Sequence, residues 1–265
     1  MRIAVSEDGI TFNPPMVLPT PMDFDEGIAR LRETAMILTN GNAIAAAAGG
    51  VPGPLDSTHE TLAFVSNLPG WRNKPIREEI AEAVGAETYV ENDSALAGLG
   101  EAIEGNAKGS SIAAFLSLGT GVGGVRLVHG AIAKSDFGFE PGHQIIVMDG
   151  DPCGCGGRGH LESYVSGEGI RKRTGKKPET IDDPALWEEL ARFLAAGIVN
   201  TIVHWSPNIV ILGGSHIPEK IPLDSVRKHV AASLFVFSPP RIQLSKLKDR
   251  AVLTGALAYI RQKHG

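Results

Sequence analysis

Short apolar runs alternate with stretches of helical period along this chain, the rhythm of an α/β protein in which helices cover buried strands. Arg2, Ile3, Ala4 and Val5 predict a strand, and Glu7-Asp8-Gly9 a tight turn into Ile10, Thr11 and Phe12. Ile28, Leu31, Ala35 and Leu38 fall at helical spacing within residues 25–39. Residues 43–48 are small and apolar, a buried strand running into the loop Gly49-Gly50-Val51-Pro52-Gly53-Pro54. A helix is expected over 75–84, a strand over 88–90 and a second helix over 94–104. That helix ends at Gly105-Asn106-Ala107-Lys108-Gly109, a polar joint suited to a domain boundary.

Beyond the joint, 112–118 predicts a strand, followed by a Gly-rich loop and another strand over 125–128. Residues 136–162 carry neither period and concentrate Gly, Cys and His. A long helix is expected over 185–204, a buried strand over 209–212 ending in Gly213-Gly214, and a closing helix over 252–262. The same rhythm in both halves suggests two related α/β lobes with a ligand-binding cleft between them. The expected division is a smaller lobe over 1–105, with helix 252–263 packing back on it, and a larger lobe over 106–251.

Composition narrows the class. With 25 Lys plus Arg against 30 Asp plus Glu, the net charge is −5, which argues against a nucleic-acid binder. No run approaches the roughly 18 apolar residues of a membrane helix, and the first residues lack a signal-peptide core. Two cysteines, Cys153 and Cys155, are too few for a disulfide framework, so a reduced, cytoplasmic protein is expected. The outlying count is glycine, 32 residues, more than a plain core needs.

Candidate chemistry sits where those glycines cluster. Gly119-Thr120-Gly121-Val122-Gly123-Gly124 lies between two strands, so it is neither a dinucleotide fingerprint nor a Walker loop. It reads either as a tight hairpin without a ligand or as one whose backbone amides approach an anion. Asp93, between a strand and a helix, suits a helix cap or a general base that takes a proton from a hydroxyl. His143, Cys153, Cys155 and His160, spaced H-x9-C-x-C-x4-H, can close a tetrahedral zinc site. Glu140 and Glu162 flank that cluster, either as a solvated acid and a first-turn helix acid or as acceptors for a ligand's hydroxyls. The basic run Arg171-Lys172-Arg173, with Lys176 and Lys177, reads as a solvated helix end, and Trp71 as core.

Together these segments resemble the ROK (repressor, open reading frame, kinase) family of sugar kinases, from about residue 43 to the C-terminus. The resemblance rests on residues 50–56, on Asn67-Leu68 through Trp71, on Glu91-Asn92-Asp93 and on the glycine hairpin. It rests most specifically on Glu140-Pro141-Gly142-His143 and on the Cys153 to Glu162 segment. The family's third cysteine is His160 here, which imidazole ligation of zinc accommodates. The resemblance implies an actin-like (ribonuclease H-like) two-lobe fold and transfer of the ATP γ-phosphoryl group to a hexose or N-acetylhexosamine hydroxyl. Asp93 would be the base, with Gly53, Asn67, Asn92, Asp93, Glu140, His143 and Glu162 around the sugar. Gly119, Thr120, Gly121, Gly123 and Gly124 would face the phosphates, and Gly213 and Gly214 the adenosine. It also implies Mg²⁺, a structural Zn²⁺ on His143, Cys153, Cys155 and His160, and a homodimer acting on small molecules.

The family's usual first strand and Asp-x-Gly-Gly-Thr phosphate loop have no counterpart among these residues. This motivates a second expectation, a non-catalytic sugar-binding or regulatory protein. A repressor would need a helix-turn-helix, which the sequence does not display ahead of Ile3.

Overall fold

The computed structural model describes residues 1–264 other than Phe64, Ser66, Asn67 and His216. Its central layer is a five-stranded sheet. Strands β5 (Ile112–Leu118), β6 (Val122–Val128) and β7 (Ala131–Ile132) form an antiparallel meander. Strands β8 (Ile209–Gly214) and β9 (Arg241–Leu244) join β5 in parallel, giving the order β7-β6-β5-β8-β9. Smaller sheets pair β1 (Arg2–Ile3) with β2 (Met16–Val17) antiparallel, and β3 (Ala46–Val51) with β4 (Glu87–Asn92) parallel. The expected turn at Glu7-Asp8-Gly9 therefore does not pair residues 2–5 with 10–12. Asp8 instead accepts bonds from the Ile10 and Thr11 amides, which curls the backbone out of extended form.

The helices are α1 (Phe24–Thr39), α2 (Ile76–Val84), α3 (Asp93–Ile103), α4 (Leu161–Val165), α5 (Gly167–Thr174), α6 (Pro184–Trp205), α7 (Ile217–Lys220), α8 (Leu223–Ser233) and α9 (Ala251–His264). Alternation along β5 sorts its side chains between two cores. Ala114, Leu116 and Leu118 face α6 and α8, packing with Leu190, Leu194, Ile198, Val226 and Val230. Ala113 and Phe115 face α3 and α9, packing with Leu96, Leu99 and Ala258. The five-stranded sheet is thus covered on both faces, which is why its central strands read as continuous apolar runs. A third core joins Val51 and Val90 of the parallel pair to Phe24, Ile28, Ile76, Ile80 and Trp71.

Helices α3 and α9 cross with almost no space between their backbones. A Cβ at Gly100 would lie 2.3 Å from Ala251 O, and one at Gly255 only 1.8 Å from Leu96 O. Beside this crossing, the fully buried Glu101 carboxylate accepts from Ser245 Oγ and Leu247 N, both at 2.7 Å, and from Asn106 N at 2.9 Å. One carboxylate therefore ties the 105–109 joint to the segment between β9 and α9. No helix among the described residues is long and apolar enough to cross a membrane.

Candidate functional site

Strand β4 delivers Asn92 and Asp93 to a single corner. Asn92 Oδ1 accepts from Ser94 N at 2.9 Å and Ala95 N at 3.1 Å, so Asn92 is the cap of α3. Its Nδ2 donates to Gly53 O at 3.1 Å, tying the 50–56 loop to the helix start. With capping done by its neighbour, Asp93 has its carboxylate left for chemistry, in contact with Ser94 Oγ at 3.2 Å. Burial holds the Asp93 carboxyl above the usual carboxylate range, against the opposing pull of the Ser94 hydroxyl and amide.

Glu140 opens a 3₁₀ turn, Pro141–His143, packed against β6. Burial, then the negative charges of Glu162 and Asp93, push its carboxyl up to about 7. The three acids from three separate segments therefore share one electrostatic space. Glu162 lies in the first turn of α4, where its Oε2 accepts from Val122 N at 2.8 Å. That bond couples α4 to the glycine hairpin.

The hairpin is tighter than the sequence suggests. Its turn is confined to Gly119-Thr120-Gly121, because β6 begins at Val122 rather than at 125. Gly123 and Gly124 are strand residues, and crowding accounts for both: a Cβ at Gly123 would lie 2.4 Å from Ser94 Oγ, and one at Gly124 2.5 Å from Phe115 O. Gly121 faces Glu162 in the same way, at 2.5 Å from Oε2, whereas a Cβ at Gly119 would meet nothing within 4 Å. The turn's carbonyls are held by the start of α5, with Gly167 N donating to Gly119 O and Glu168 N to Thr120 O. Thr120 is exposed at the tip. Gly213 abuts the Phe115 ring, which leaves no room for a β-carbon, and Gly214, at φ +112° and packed on Leu118 O, meets the backbone demand at the end of β8.

Four metal-competent side chains meet where 136–162 lacks regular structure. One donor atom from each of His143, Cys153, Cys155 and His160 lies within 4.8 Å of the other three. Cys153 Sγ stands 3.7 Å from His143 Nδ1, and Cys155 Sγ 3.3 Å from His160 Nδ1. Two thiols and two imidazoles at these separations fit a tetrahedral zinc ion, whose bonds of about 2.0–2.3 Å place ligand atoms about 3.3–3.8 Å apart. His143 Nε2 points the other way, 4.0 Å from Glu140 Oε2, so one imidazole joins the metal cluster to the acidic corner.

Behind the cluster, Arg173 lies 5.3 Å from the rings of Tyr164 and Phe193 and pairs with Glu189 at 2.9 Å. The basic run is an exposed helix end as expected, with Arg173 adding these contacts. A cavity of about 520 Å³ opens among Thr120, Gly121, Cys153, Glu162, Lys172 and Arg173. Asn67 lies outside the described residues. Trp71 is core, as its apolar setting predicts.

Comparison with known proteins matches residues 24–263 to the ROK family, a span that begins earlier than the motifs alone suggest. A glucokinase of Thermotoga maritima is 31% identical over 221 residues, 72% of this chain and 70% of that protein. An N-acetyl-D-glucosamine kinase of Erwinia tasmaniensis is 28% identical over 78% of this chain and 77% of its own length. The crystal structure of a ROK family glucokinase from Streptomyces griseus, in complex with glucose and AMPPNP, superposes with TM-score 0.82 at 26% identity, covering 98% of this chain and 96% of that one.

Proposed function

This chain belongs to the ROK family and has its actin-like α/β fold, and on that premise we propose an ATP-dependent kinase of a hexose or N-acetylhexosamine hydroxyl. The observation that carries the reading is the meeting of Asp93, Glu140 and Glu162 between a metal-competent cluster and a glycine hairpin. Sugars present rings of hydroxyl donors, and a set of convergent carboxylates is the natural complement to them.

Asp93 takes the proton from the attacking hydroxyl, and its raised affinity for protons suits it to that step. Glu140, Glu162 and His143 Nε2 orient the sugar. Asn92 and Gly53 hold the adjoining loop, and Asn67 completes the sugar set. The hairpin Gly119-Thr120-Gly121 approaches the transferred phosphoryl group, with Gly123 and Gly124 supporting its shape. Gly213 and Gly214 turn the chain beside the adenosine. Phosphoryl transfer depends chiefly on such positioning and on electrostatics, with water excluded from the site.

Mg²⁺ accompanying the nucleotide supplies charge neutralisation at the phosphates. Zn²⁺ on His143, Cys153, Cys155 and His160 supplies rigidity, fixing Glu140 and Glu162 relative to each other. We place the protein in the cytoplasm, where ATP is available and its thiols stay reduced, and as a homodimer with small-molecule partners only. Mass spectrometry of a panel of glucose, fructose, mannose and N-acetylated hexosamines incubated with Mg-ATP tests the reading. A sugar phosphate from at least one is expected. Its absence from all of them would overturn the proposal.

A further inference from the structure

His59 stands at a left-handed turn of the backbone. It has φ +57°, in the left-handed region that glycine adopts at no cost and a β-carbon resists. It sits in the loop after Gly53, a loop organised from within by Asp56. That carboxylate accepts from the Thr58, Glu60 and Thr61 amides and the Thr58 and Thr61 hydroxyls, and these bonds hold it at about 2 despite its own desolvation. Asp56 O also receives the His59 amide at 3.0 Å. The turn is thereby fixed in shape, and the His59 ring projects out of it onto β4.

There Nδ1 lies 3.3 Å from Val90 O and 3.5 Å from Glu91 Oε2. A carbonyl oxygen can only accept, so the proton is on Nδ1 and is directed at the end of β4. Glu91 is a buried carboxylate bonded both to the catalytic corner and to α9. Oε1 accepts from Asn92 N at 2.8 Å, and Oε2 from Tyr259 OH of α9 at 3.3 Å. One carboxylate thus gathers the sugar-side loop, the turn that presents Asn92 and Asp93, and the last helix.

We infer that His59 is a positioning residue, a latch that holds the 53–62 loop on the Asn92-Asp93 turn through Val90 O and Glu91. The inference rests on the sugar-kinase reading for its consequence, because the loop it secures also carries Gly53. The strained backbone at His59 persists because the ring bond offsets it. Loss of the latch loosens the sugar side of the site and leaves the proton-accepting carboxylate in place. Its signature is a raised sugar KM with an unaltered kcat.

His59→Gly and His59→Asn separate this from a purely conformational role. Glycine relieves the left-handed backbone and removes the ring. Asparagine tolerates the same backbone, and its Nδ2 stands as many bonds from Cα as histidine Nδ1. The latch predicts that H59G raises sugar KM about threefold to tenfold at constant kcat, with thermal stability unchanged, while H59N stays within about twofold of the parent, consistent with one partly exposed hydrogen bond. Equal KM in H59G and the parent would overturn it, as would an H59N defect as large as that of H59G. If the unaltered chain phosphorylates none of the sugars, the kinase reading falls separately. The latch is then read by calorimetry with D-glucose and N-acetyl-D-glucosamine, and a dissociation constant unchanged in H59G for whichever binds, or binding of neither, would overturn it too.

Discussion

Replacing Asp93 with asparagine removes a base without disturbing the helix that carries it. The capping bonds of α3 come from Asn92 Oδ1, so a loss of about 1 kcal/mol for a deleted cap does not apply. Folding is expected to hold or improve. The Asp93 pKa is raised in the folded protein, so above the unfolded value of 3.8 burial of its charge opposes folding, and a neutral amide abolishes that penalty at assay pH. Catalysis should suffer differently. A positioned general base contributes about 10²- to 10⁴-fold, so kcat should fall by that factor, about 2.7–5.4 kcal/mol of barrier at 1.36 kcal/mol per decade. The sugar KM should change little, since Glu140, His143 and Glu162 remain. Steady-state kinetics beside thermal melts measure both. A kcat within tenfold of the parent, in a D93N protein that melts normally, would refute Asp93 as the base.

Three further outcomes follow from the same geometry. The kcat/KM profile should show an acid limb displaced above the ordinary carboxylate range, because activity needs the Asp93 carboxylate and sugar binding the Glu140 carboxylate, pushed up to about 7, and both are lost as pH falls; D93N should lose the Asp93 contribution and keep a limb from Glu140. The purified chain should carry one zinc, and Cys155→Ser should lower zinc content well below one per chain with a lower melting temperature; metal analysis finding no zinc in the parent would remove the cluster's role. Gly255→Ala should destabilise the protein, because the 1.8 Å approach to Leu96 O costs about 3 kcal/mol or more, outweighing the helix propensity gain of about 1 kcal/mol. A drop of about 4–8 °C in melting temperature checks it.

Much of the site is legible in the sequence because its parts are local. The cysteines and histidines fall within eighteen residues of each other, so their meeting needs only a short loop folded on itself. Strands β5 and β8 show as apolar runs because both of their faces are buried. Other features are invisible for physical reasons. Gly123 and Gly124 suggest loop by their low strand propensity, yet they sit in β6 because Ser94 and Phe115 leave no room for a β-carbon. Helix α8 escapes notice because its buried stripe is little more than Val226 and Val230, and β9 because it is only four residues long. Asn92 and Asp93 are equally good caps on paper, and only the bonds to Ser94 N and Ala95 N distinguish them. The His59–Glu91–Tyr259 contacts join residues 32 and 168 positions apart, which no local pattern encodes.

The account turns on sugar-dependent release of ADP by the unaltered chain with Mg-ATP. It predicts a rate that rises and saturates with glucose or an N-acetylated hexosamine and stays near background without sugar. A rate of ADP release that is the same with and without every sugar tested would contradict it.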